Sequence, residues 1–290
     1  MRNITPHFWF NRAAKEAVAL YVSLFEDSRI VGETVIEDTP SGDVECIQFE
    51  LAGQPFEAIS AGDEFPFNPS ASLMVACETE AEVNRLWAAL SPGGEVLMEL
   101  DAYPFSPRYG WLNDKYGLSW QLMLSKDAAQ RITPSFLFSG PACGRAEEAA
   151  RFYASIFPDS GVDLVSLYAE GEATVPAAKA NYVGFRLSGQ NFAAMDNGFD
   201  SDFTFNESFS LIVSCDDQAA VDFYWDKLSA VPEAEACGWL KDRFGISWQI
   251  VPTRLGELMS SDDPARAERV KIAMLGMKKL DIAELEEAFG

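Results

Sequence analysis

The sequence predicts an α+β fold built as two tandem copies of one domain. Each copy is expected to hold two strand–helix–three-strand (βαβββ) units that form a curved, mostly antiparallel sheet around a cleft. Three observations predict it: a self-similarity spanning most of the 290 residues, the same order of elements in each copy, and a globular composition with 48% apolar residues.

The repeat is the strongest of the three. The opening Ile4-Thr-Pro-His-Phe-Trp-Phe10 returns as Ile132-Thr-Pro-Ser-Phe-Leu-Phe138. Lys15-Glu-Ala with Tyr21, Phe25, Asp27 and Ser28 returns as Glu147-Glu-Ala with Tyr153, Phe157, Asp159 and Ser160. Gly53-Gln54-x-Phe56 returns as Gly189-Gln190-x-Phe192, and Phe67-Asn68-x-Ser70-x-Ser72 as Phe205-Asn206-x-Ser208-x-Ser210. Gly110-Trp-Leu-Asn-Asp-Lys-Tyr-Gly-Leu-Ser-Trp-Gln121 matches Gly238-Trp-Leu-Lys-Asp-Arg-Phe-Gly-Ile-Ser-Trp-Gln249 at eight of twelve positions. The second copy carries a short insertion at 140–144 and lacks most of a segment equivalent to 91–109.

The elements follow from periodicity. Ile4–Phe10 reads as an apolar strand. Ala17, Leu20, Tyr21, Leu24 and Phe25 fall at helical spacing behind it. Strands are expected near 30–37, 44–51 and 56–60, separated by Pro, Gly and Asp turns. A second round opens with a strand at 72–77 and a helix at 79–90 that begins Thr79-x-x-Glu82, and ends with a strand at 118–124. Asp217 is the corresponding cap in the second copy. After Pro252 the pattern changes. Residues 264–279 read as an amphipathic helix, and Asp281-x-x-Glu284 caps a short last helix carrying Leu285 and Phe289. The expected division is 1–128 and 131–256 for the two domains and 257–290 for a helical tail packing back on them.

Charge and cysteine usage narrow the function classes. Forty-five acidic residues against 22 basic ones give a formal net charge of −23. Nucleic-acid binding needs basic surface to displace counterions from phosphate, and anionic membranes need the same, so neither is an expected partner. No apolar run approaches the roughly 20 residues of a membrane span. The opening residues are too polar for a secretory signal. Five cysteines without a CxxC pair read as reduced thiols of a cytoplasmic protein.

With these motifs in place, the chain resembles the PhnB-like (3-demethylubiquinone-9 3-methyltransferase-like) family of the vicinal-oxygen-chelate superfamily, the glyoxalase/bleomycin resistance/dioxygenase-like proteins, in two fused copies. The resemblance rests on Ile-Thr-Pro-x-x-x-Phe, Phe-Asn-x-Ser-x-Ser and Gly-Trp-Leu-x-Asp-[Lys/Arg]-[Tyr/Phe]-Gly-[Leu/Ile]-Ser-Trp-Gln. It implies tandem glyoxalase-like domains, joined as a covalent counterpart of a two-fold dimer, with a further homodimer of the fused chain left open.

The resemblance also implies a divalent metal in a cleft, held by His and Glu from the first strand of each unit and the last strand. Those positions fall here on Ser72 and Ser210, on Gln121 and Gln249, near Thr5 or His7 in the first copy, and near Thr133 or Ser135 in the second. Neutral Ser and Gln oxygens are poor ligands for a transition metal, and His7 is the only histidine. No metal or other cofactor is therefore expected. Strand alternation puts Thr5, His7 and Trp9 on one face. Trp120 and Trp248 alternate away from Gln121 and Gln249 toward the core. Asn68 and Asn206 are expected to make local bonds to the backbone.

The function expected is binding of a small molecule without a metal, using Thr5, Trp9, Ser72, Gln121, Thr133, Ser135, Ser210 and Gln249. The alternative is an enzyme with His7 as its catalytic group, either lyase-, isomerase- or dioxygenase-like or, as the family label suggests, a methyltransferase. No Gly-rich methyl-donor motif follows a strand in this chain.

Overall fold

The computed structural model describes residues 4–39, 41–126 and 128–290. Its backbone forms two compact units, His7–Phe209 and Ser210–Gly290, the latter taking in residues 4–6.

In the first unit, β1 (Ile4–Phe10) leads to α1 (Ala14–Leu24), then β2 (Arg29–Thr39), β3 (Gly42–Leu51) and β4 (Gln54–Ser60). From His7 onward β1 pairs parallel with β4, which pairs antiparallel with β3, and β3 with β2. Period-two burial on β4 turns Phe56 and Ala58 under α1, where Ala14, Ala17, Val18 and Tyr21 are buried. The N-terminus of α1 has no side-chain cap of its own. Ser60 supplies the acceptor, taking the Ala14 N–H at 3.1 Å.

The next two units build one sheet together. The first is β5 (Ala71–Cys77), α2 (Glu80–Leu90), β6 (Glu95–Tyr103), β7 (Ser106–Asn113) and β8 (Ser119–Leu124). The second, from the other copy, is β9 (Ile132–Phe138), α3 (Ala146–Ala154), β10 (Gly161–Leu167), β11 (Ala180–Leu187) and β12 (Gln190–Asp196). Their eight strands run β10-β11-β12-β9-β5-β8-β7-β6. Within each unit the first strand lies parallel to the last. The copies meet at the antiparallel pair β5/β9. Thr79 caps α2 as expected, accepting the Glu82 N–H at 3.2 Å.

Two devices tie the copies inside this unit. Gln54 accepts the Ile132 N–H at 3.0 Å and donates to its carbonyl at 2.9 Å. Asn68 accepts the Ser70 N–H and donates to the Thr204 carbonyl, while Asn206 accepts the Ser208 N–H and donates to the Pro66 carbonyl. The local bonds expected of these asparagines are present, and each amide also reaches the other copy.

The second compact unit, from Ser210 onward, contains the fourth round, β13 (Phe209–Cys215), α4 (Gln218–Leu228), β14 (Trp239–Lys241) and β15 (Ser247–Pro252). One strand of the βαβββ pattern is missing and β14 is three residues long, because the sequence lacks the segment that forms the β6–β7 hairpin in the first copy. Beyond Pro252 the chain forms α5 (Thr253–Met259), α6 (Pro264–Gly276) and α7 (Ile282–Phe289). Leu255, Leu258, Val270, Leu280 and Leu285 make a small core of their own. Helix α5 gives no signal in the sequence pattern, since so short a segment is too brief for a clear period. Among the described residues no helix is long and apolar enough to cross a membrane.

The most strongly repeated motif is structural. Asp114 is buried, and its carboxylate accepts from Tyr116 N–H, Leu118 N–H, Trp120 Nε1 and Tyr21 Oη. Asp242 repeats the arrangement with Phe244, Ile246 and Trp248. Gly117 and Gly245 follow at φ 92° and 95°, a turn that a side chain would strain. Burial pushes the Asp114 carboxyl upward, and the bonds it accepts oppose that shift.

Candidate functional site

The eight-stranded sheet gathers four of the residues singled out from sequence onto the face opposite its helices. On β8, Trp120 and Leu122 turn to the core, so Ser119, Gln121 and Met123 turn away from it. Register then fixes two rows. Trp111, Gln121, Met74 and Thr133 are successive Cα partners across β7, β8, β5 and β9. Asn113, Ser119, Ser72, Ser135, Ala193, Gly184 and Leu164 make the neighbouring row.

A polar relay crosses these rows. Tyr109 Oη donates to Gln121 Oε1 at 2.8 Å, and Gln121 Nε2 donates to Ser72 Oγ at 2.8 Å. Trp111 Nε1 donates to Ser119 Oγ at 2.8 Å. Tyr109, Gln121 and Ser72 are all buried, and burial raises the tyrosine hydroxyl above its ordinary pKa, keeping it a donor. Ser135 is fully buried beside Ser72, and its Oγ has no hydrogen-bond partner among the described residues. A buried hydroxyl without a partner is unusual and calls for a ligand or a water.

A cavity of about 340 Å³ opens on the same side of the sheet. Met74, Met123 and Thr133 line one side and Leu164, Tyr182 and Asn191 the other. Gly184 lies in its wall, and the absence of a Cβ there lets the Tyr182 ring and Leu164 lie close over the strand. The volume is at the lower end of the range for ligand pockets, and the lining is mostly apolar with a few polar groups.

The first-copy strand β1 carries a different set. His7 is buried, and burial drives its imidazole down to about 3, so it is neutral at physiological pH. Its Cα partner on β4 is Glu57, whose carboxyl is raised by burial and accepts a long 3.4 Å bond from Gln48 Nε2. Trp9 donates from Nε1 to the Gly62 carbonyl at 3.0 Å and packs edge-on against Phe65, so much of its contact is spent on the loop after β4. In the other compact unit Thr5 is half-buried, and Gln249 Nε2 donates to Ser210 Oγ at 3.0 Å, the same bond in the same direction as Gln121 to Ser72.

The donor set on the eight-stranded sheet does not fit a transition metal. Ser72, Gln121, Thr133 and Ser135 offer neutral oxygens, Gln121 spends its oxygen on Tyr109, and the position paired with Ser135 on β12 is Ala193. His7 and Glu57 bring an imidazole and a carboxylate to neighbouring strands. Among the described residues no group of three or more His, Cys, Asp and Glu side chains could hold a metal.

Sequence reading overlooked Glu57, Tyr109 and Tyr182. Glu57 was detectable as a lone charge between Phe56 and Ala58 on an apolar strand. Tyr109 sits two residues from Trp111 and twelve from Gln121, but only the β7/β8 register brings its hydroxyl to the amide.

The 3-demethylubiquinone-9 3-methyltransferase family matches this chain twice, over residues 2–123 and 130–251. A PhnB protein of Bacillus cereus is 40% identical over 42% of this chain and 98% of its own, with a TM-score of 0.39. Glyoxalase I from Zea mays aligns over 84% of this chain and 92% of its own at 11% identity and a TM-score of 0.52. A Bacillus subtilis protein aligns over 97% and 94% at 12% identity and a TM-score of 0.51. These last two likenesses concern the fold. No curated protein matches.

Proposed function

The chain belongs to the 3-demethylubiquinone-9 3-methyltransferase (PhnB-like) family, and from that premise we propose that it binds a small molecule, without a metal, in the cleft of the eight-stranded sheet. The observation that carries the reading is the fully buried Ser135 hydroxyl, without a hydrogen-bond partner among the described residues, beside the Tyr109–Gln121–Ser72 relay and next to a mostly apolar cavity. Thr133 lines the cavity directly. The proposal includes a cytoplasmic location, in keeping with five free thiols, and no role for nucleic acid or membrane, in keeping with the charge of −23. In this reading residues 1–128 and 131–256 are the two domains and 257–290 the helical tail. It takes the fused copies as an intrachain pseudo-dimer, which the shared sheet and the Asn68 and Asn206 bonds support.

The test is a melting-temperature screen of chelator-treated, tag-free protein against a metabolite library, with metal content measured beforehand. Ligands that raise the melting temperature in chelator, and shift the amide signals of Thr133 and Asn191, are the expected result. Stabilisation that appears only after a divalent metal is added back would refute metal independence.

A second reading, an enzyme using His7, is favoured by one observation. An imidazole and a carboxyl stand in register on neighbouring strands, the residue types that general acid–base chemistry uses. Turnover of a screened ligand that is abolished in His7→Ala, with folding intact, would support it. Unchanged turnover would remove it.

A further inference from the structure

Resting on the cleft reading above, we infer that Ser72 and Ser135 form a two-hydroxyl donor site for one uncharged acceptor oxygen, so that the ligand class is neutral carbonyl compounds. The protons along the relay can be assigned one by one. Gln121 Oε1 is taken by Tyr109 Oη, so the amide NH₂ faces Ser72. Ser72 Oγ therefore accepts, and its single proton is left to be donated elsewhere. The same amide orientation recurs at Gln249 and Ser210. Among the described residues the Ser72 hydroxyl donates to nothing, and Ser135 Oγ neither donates nor accepts.

The two serines are Cα partners across β5 and β9, so their side chains leave the same face of the sheet. Met74 and Thr133, also partners, lie two residues along those strands and line the cavity. The hydroxyl pair thus stands one side-chain row inward from open space, where a ligand's polar end would have to reach. Two O–H donors side by side on one face can both serve a carbonyl oxygen, which has two lone pairs.

Charge selects against an anion. Arg186, on the far arm of the sheet, already faces Asp163 at 3.8 Å, and Asp163 lines the cavity. A carboxylate brought against two neutral hydroxyls would be desolvated with no Lys or Arg among the described residues that line the cavity to meet it, which is costly. A hydrocarbon would leave both hydroxyls unsatisfied.

The test uses the full chain and three probes of similar shape: acetophenone, ethylbenzene and benzoate. Affinity is read by amide shifts of Met74, Thr133 and Asn191, and the carbonyl of bound acetophenone by its infrared stretch. Acetophenone is expected to bind about tenfold tighter than either other probe, with its stretch lowered as for a doubly hydrogen-bonded ketone. Ser135→Ala, which removes a group with no partner and so should fold, is expected to erase that preference and return the stretch part way. Ser72→Ala should act likewise, and provides the second variant. Equal binding of acetophenone and ethylbenzene, or a preference untouched by Ser135→Ala, would overturn the hydroxyl pair while leaving the cleft as a binding site. Failure of both uncharged probes to shift any of the three amides would overturn the cleft reading and this inference with it.

Discussion

The carboxylate of Asp114 accepts the indole N–H of Trp120 at 2.9 Å, and Asp242 accepts that of Trp248 at 2.8 Å. In each copy one buried acid therefore holds the turn before the last strand and orients the largest core side chain. Asp114→Ala leaves an indole, a tyrosine hydroxyl and two amides without their acceptor. It is expected to cost about 4 kcal/mol, measured as a shift of the urea midpoint followed by tryptophan fluorescence. A loss under about 1 kcal/mol would mean that water takes over these bonds without strain.

That motif also shows where sequence reading succeeds. Period two assigns Trp120 inward and Gln121 outward, and both assignments follow from covalent geometry alone. The same rule could not choose between Thr133 and Ser135, because residues two apart share a face. Only the pairing with β5 separates them, placing Thr133 opposite Met74 and Ser135 opposite Ser72. Nor could it foresee that the β5 partner would come from the other copy, since strand order is set by long-range packing. Glu57 is invisible to the repeat, because its counterpart in register with Ser135 is Ala193.

The pH dependence of stability should carry the signature of His7. Burial lowers the folded pKa to about 3 from the usual 6.5. Between those values the unfolded chain holds a proton that the native state refuses, so stability falls as pH falls through that window and is unaffected above it. At pH 5 the loss amounts to about 2 kcal/mol. Glu57 acts in the opposite sense. Its raised carboxyl favours the protonated native state, so its contribution is lost as pH rises through the folded value. Urea unfolding of wild type and His7→Gln at pH 7 and pH 5 isolates the histidine. The wild type should lose about 2 kcal/mol more than the variant on acidification, and equal losses would show that His7 is not buried neutral.

The shared sheet makes a prediction for the isolated first copy. β5 is paired on one side with β8 and on the other with β9, which belongs to the second copy. A chain of residues 1–128 would expose that edge of β5, an unfavourable state for an apolar strand. β1 repeats the sequence of β9, so β1 of another molecule can take its place. The fragment is expected to sediment as a dimer at micromolar concentration, with Gln54→Ala weakening the association, because Ile4 of the second molecule would take the bracket that Gln54 makes on Ile132 in the full chain. A folded monomer would indicate that β5 tolerates a free edge.

Removing one polar group in the relay and one beside it should have opposite effects on stability, and the contrast bears on what the cleft is for. Gln121 satisfies both neighbours, accepting from Tyr109 and donating to Ser72. Gln121→Ala orphans a buried tyrosine hydroxyl, leaves a void and is expected to cost about 3 kcal/mol. Ser135 satisfies nothing among the described residues, and its hydroxyl is buried without return. Ser135→Ala is therefore expected to stabilise the ligand-free protein by about 1 kcal/mol in the same urea titration. A residue whose removal stabilises the free protein is held at a cost that only an occupied state repays, which is the relation expected of a binding group. A stability loss on Ser135→Ala would instead mean that a trapped water already bonds the hydroxyl, and the cleft would then be a filled core.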